Sequence, residues 1–100
     1  MKDAWRIEQD RQSQELAEIV QQAIDAYGQR LKAEGKQPML NAVASAIVTV
    51  TGAMLASVKD RRPRKLLRNA MERELPLAIA RHEGCSGSAE VIIAGRRADA

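Results

Sequence analysis

One hundred residues, 45% of them hydrophobic and 29% charged, suffice for one small domain and are too apolar for a disordered chain. Aromatic residues make up 2%, Trp5 and Tyr27 with no phenylalanine, so any core is aliphatic, which suits packed helices better than a β-sandwich. The net charge of +3 is unevenly placed, and the single cysteine, Cys85, excludes an internal disulfide and makes a reducing, cytoplasmic setting the expectation.

Met1-Lys2-Asp3 leads into polar residues, so no secretory signal is expected. Residues 3–34 predict a long first helix, in which Leu16, Ile19, Val20, Ala23, Ile24, Tyr27 and Leu31 recur at three- and four-residue steps as one apolar stripe. No apolar residue stands between Glu8 and Glu15. A helix that is polar all round has nothing to bury, so this end is expected to project, fray or meet a partner. Trp5 and Ile7 stand beyond the gap, outside the main stripe. Gly35 after Glu34 predicts a C-terminal stop, and Pro38 enforces it.

Residues 39–58 carry no charge. The β-branched run Ile47-Val48-Thr49-Val50-Thr51 is compatible with a short strand, but the length and alanine content of the whole segment predict a helix. Val43, Ile47, Val50, Met54 and Val58 form a stripe of large residues. Asn41, Ser45, Thr49, Gly52 and Ala56 form a stripe of small ones. Twenty uncharged residues would span about 30 Å as a helix, which matches a bilayer core. Asn41, Ser45, Thr49, Thr51, Ser57 and the alanines keep the hydropathy moderate, and a central helix covered by two amphipathic ones needs no lipid. The buried-helix reading is therefore preferred. The small stripe fits a close neighbour, either within the chain or in a homodimer through this helix.

Arg62-Pro63 predicts a boundary, with Pro63 opening a third helix. Leu66, Leu67, Ala70, Met71 and Leu75 make its apolar arc, interrupted by Glu74, and Pro76 kinks or restarts it. Gly84 ends it. The segment Gly84-Cys85-Ser86-Gly87-Ser88 reads as a linker, Ala89–Ala94 as a short strand or a helical turn, and Arg96–Ala100 as disordered. The expected fold is all-α, a small bundle of three main helices over residues 1–84, the third kinked at Pro76, with a flexible tail over 85–100.

Six cations, Lys59, Arg61, Arg62, Arg64, Lys65 and Arg68, face Asp60 alone between residues 59 and 68. Arginine forks recognise phosphates and acidic protein surfaces. Cations at a helix N-terminus oppose the macrodipole, so this cluster does not serve helix stability. Lys65 and Arg68 precede Glu72, a short footprint for a nucleic-acid groove, and only Trp5 and Tyr27 offer stacking surfaces. His82 and Cys85 lack the further ligands of a metal site and the third group of a nucleophilic one. The glycines form no phosphate loop. No enzyme activity, metal or cofactor is expected. The predicted function is a non-enzymatic protein-binding module that presents Arg61, Arg62, Arg64, Lys65 and Arg68, with Trp5 as a separate anchor, to an acidic partner. Small phage- or plasmid-encoded adaptors and inhibitors, anti-CRISPR proteins among them, share this profile of composition and charge. A nucleic-acid-binding protein using the same patch is the alternative, and a single-span membrane accessory protein the third.

Overall fold

The computed structural model describes residues 2–83, with side chains from Asp3 onward, and the backbone of Ile92–Ile93 and Arg96–Arg97. The described residues are all-α in class: α1 (Lys2–Ala33), α2 (Leu40–Ala56) and α3 (Arg61–Arg81). The chain divides into two units, Met1–Pro38 and Met39–Ala100.

The first unit is α1 and its exit. The polar stretch does not interrupt the helix, because its side chains pair along the surface. Arg11 reaches Glu8 at 2.9 Å and Glu15 at 3.3 Å, and the Gln12 amide donates to Glu8 at 2.8 Å. Pairs three and four residues apart each stabilise a helix by a few tenths of a kcal/mol, about 0.2–0.5. The exit is closed by a Schellman arrangement. The Lys36 N–H donates to the Leu31 carbonyl at 2.8 Å and the Gly35 N–H to the Lys32 carbonyl at 3.0 Å. Gly35 takes φ 77°, which a residue with a Cβ adopts only under strain, so the expected stop is built on the expected glycine. The chain then returns over its own helix. Pro38 lies beside Gly28, and Ile24, Gly28, Leu31 and Pro38 are half-buried together.

The helix also corrects the place given to Trp5. Trp5 and Leu16 are eleven residues apart, about 20° on a helical projection. They line the same shallow hollow with Gln9, Gln12 and Ser13. Trp5 therefore belongs to the main apolar face, with the glutamines filling the interval.

The second unit holds α2 and α3. The β-branched run 47–51 is helical, and Thr49 turns its hydroxyl back to the Ser45 carbonyl at 2.9 Å. Met39 is extended before α2, and Ser57 donates its hydroxyl to the Met54 carbonyl at its end. α2 lies against α3. Thr51 and Leu55 of α2 and Val58 just past its end are half-buried, at the helical spacing of one stripe. Of the stripe of large residues, Val43 and Val58 are half-buried, whereas Ile47 and Val50 are exposed and Met54 is 42% exposed. Val48, one turn before Thr51, is 70% exposed, so the covered part of this face is the C-terminal end of α2.

α3 begins at Arg61, two residues before the expected boundary. Pro63 sits in the first turn, where the missing N–H belongs to a group that has no intrahelical acceptor in any case. The first helical bond, from Arg64 N–H to the Asp60 carbonyl, follows it at 3.3 Å. α3 then continues through Pro76 to Arg81. Ile92–Ile93 pairs antiparallel with Arg96–Arg97, Ile92 opposite Arg97 and Ile93 opposite Arg96. The expected stop at Gly84, the linker and the remainder of the tail lie outside the described residues. Among the described residues no side chain is buried.

Candidate nucleic-acid or protein interface at the α2–α3 corner

The basic cluster lies where α2 gives way to α3. Leu55, Arg61, Arg64, Lys65, Arg68 and Asn69 line an open hollow of about 390 Å³. Arg61, Lys65 and Arg68 follow one another at steps of four and three residues, which places them on one face of α3. Leu55, from the end of α2, gives the hollow an apolar wall.

The five arginines and lysines predicted as one site separate into three groups. Arg64 is turned inward. Its guanidinium donates twice to the Val58 carbonyl, from Nε at 3.0 Å and Nη2 at 2.8 Å, and the side chain is partly buried. That carbonyl lies just past the end of α2, where backbone acceptors have no helical donor. Arg64 thus joins the end of one helix to the first turn of the next. Arg68 has an exposed ion-pair partner: its Nε lies 3.3 Å from Glu72 Oε1, one turn further along the same face. Arg61, Arg62 and Lys65 are exposed and make no ion pair among the described residues. Arg62 is outside the lining of the hollow. The exposed cations that line the hollow are therefore Arg61, Lys65 and Arg68, with Arg62 exposed outside it. Arg64 is a positioning residue, a role that its place in a charge run did not signal.

Trp5, the other predicted contact residue, is 71% exposed on α1 in the first unit. His82 closes α3: its Nδ1 lies 2.9 Å from the Ala78 carbonyl, as expected of a histidine at a helix C-terminus. Cys85 lies outside the described residues. Among the described residues no group of three or more histidine, cysteine, aspartate or glutamate side chains is placed to hold a metal. No described helix is long and apolar enough to cross a membrane. α2 has 17 residues, about 25 Å, against the twenty uncharged residues read from the sequence.

The fold and the corner define a small three-helix chain with a cationic, apolar-walled notch. Comparison with family models, curated proteins and solved structures returns no match.

Proposed function

We propose that this chain is a non-enzymatic, cytoplasmic protein-binding module, an adaptor or inhibitor that holds an acidic partner surface at the α2–α3 corner. The observation that carries the proposal is the composition of the notch. Arg61 and Lys65 have no ion pair among the described residues, and Arg68 stands at the rim beside apolar Leu55. Cations around an apolar wall suit a partner side that is itself mixed, acidic at the rim and apolar at the centre. A polynucleotide backbone is served less well. The cations from Arg61 to Arg68 cover about 10 Å of helix axis before Glu72 reverses the charge, and no aromatic ring lines the notch.

The test compares two labelled probes at physiological salt, by fluorescence anisotropy. One is an acidic amphipathic peptide alternating glutamate and leucine at helical spacing; the other is a mixed-sequence oligonucleotide of similar charge. The peptide is expected to bind more tightly. The triple variant Arg61→Glu, Lys65→Glu, Arg68→Glu is expected to weaken it at least about tenfold while the circular dichroism spectrum is retained. Tighter binding of the oligonucleotide, with a steep salt dependence, would transfer the corner to nucleic-acid recognition.

A further inference from the structure

The face of α1 from Trp5 to Tyr27 carries the longest apolar stripe among the described helices, and within the first unit it is open apart from half-buried Ile24. Trp5 is 71%, Leu16 60% and Ile19 59% exposed. We infer that this face pairs with the same face of a second copy of the chain, the two α1 helices running antiparallel.

The first argument is length. Trp5 and Tyr27 are 22 residues apart, about 33 Å along the helix. The apolar arc of α3 from Leu66 to Leu75 covers about 14 Å, and all of α2 about 25 Å. Among the described helices only another α1 offers a stripe of matching length.

The second argument is complementarity of size and charge. A seven-residue reading places Trp5, Gln12, Ile19 and Ala26 on one line of the seam and Gln9, Leu16, Ala23 and Arg30 on the other. An antiparallel pair centred between Leu16 and Ile19 sets Leu16 against Ile19, Gln12 against Ala23, Gln9 against Ala26 and Trp5 against Arg30. Each long glutamine then faces a short alanine. Arg30, which already lies 4.9 Å from the Tyr27 ring, meets an indole face. On the flanks Glu8 and Glu15 fall beside Gln29 and Gln22, and Arg6 beside Tyr27, so no like charges meet. Asp10, Glu18, Asp25 and Lys32 project from the opposite side of the helix. The parallel in-register pair does the reverse. It sets Arg30 against Arg30 and Gln12 against Gln12, and leaves Ala23 facing Ala23 across a gap.

Sedimentation equilibrium of the full chain at tens of micromolar is expected to give twice the 11.0 kDa chain mass. Ile19→Lys places a charge in the seam and is expected to weaken association about 100-fold while helicity persists. Ala23→Gln is a second, helix-compatible lesion, because it crowds Gln12 of the other copy. Adding Gln12→Ala is expected to restore the dimer by exchanging the long and short partners. Direction is read by oxidation in a Cys85→Ser background. A mixture of Gln9→Cys and Ala26→Cys chains is expected to form the mixed disulfide, and Gln9→Cys alone none. A monomer at these concentrations overturns the inference and leaves the stripe to the rest of its own chain. A dimer indifferent to Ile19→Lys but lost in Gly52→Leu overturns it in favour of the α2 face. A Gln9→Cys homodisulfide overturns the antiparallel arrangement.

Discussion

Replacing Arg64 by alanine removes both donors from the Val58 carbonyl at a point where two helices are joined by four residues. A hydrogen bond from a charged group contributes about 1.5–3 kcal/mol, and the two donors here share one acceptor, so they do not count twice. The site is only partly buried, and water replaces part of what is lost, which brings the expected cost to about 1–2 kcal/mol. In a domain of this size that is a fall in melting temperature of roughly 4–15 °C, measured by circular dichroism at 222 nm. Arg64→Lys keeps the charge but has a single compact donor group, so it should recover only part of the loss. Arg61→Ala removes an exposed arginine three residues earlier with no ion pair to break, and should stay within about 0.5 kcal/mol of the parent chain. Equal effects of Arg64→Ala and Arg61→Ala would refute the view that Arg64 braces the corner.

Gly28 lies inside α1, and a Cβ added there would meet Pro38 at 3.9 Å, an ordinary contact. Gly28→Ala should therefore raise stability by roughly 0.5–1 kcal/mol in urea unfolding. Gly35→Ala should lower it by about 1–2 kcal/mol, since φ 77° is unfavourable with a side chain. Hydrogen bonds from Arg11 and then Gln12 hold the Glu8 carboxyl below the ordinary glutamate value. Its stabilising effect on α1 is thus complete at neutral pH and is lost as pH falls below about 4.3 and through the lowered value. A carbon-detected titration should find Glu8 moving back towards the ordinary value in Arg11→Ala.

The number and order of the helices could be read directly from spacing, because Gly35, Pro38, the uncharged segment and Arg62-Pro63 punctuate the chain at or within a turn of where the backbone changes. What escaped was information that a linear reading compresses. Pro63 marks a helix start only to within a turn, since its missing N–H is harmless at each of the first positions. The polar gap after Ile7 suggested that Trp5 stood apart, yet on a cylinder eleven residues close almost three full turns and return it to the line of Leu16. Leu55 was in neither α2 stripe because α3 covers only one end of that helix, and nothing in local sequence states which end. Arg64 was indistinguishable from its neighbours. Its role depends on a carbonyl six residues back that becomes reachable only when the corner has formed.

The length and closure of α1 bear on how fast it can meet anything. Helices shorter than about 12–15 residues are marginal alone, and α1 has 32, with surface ion pairs in its polar half and a closed C-terminal turn. Its apolar line stands formed before encounter, so the pairing inferred above would be a collision of two rods and not the winding of a loose strand onto a template. Such a surface loses little configurational freedom on contact, and variants of its seam should change how long a complex lasts far more than how quickly it forms.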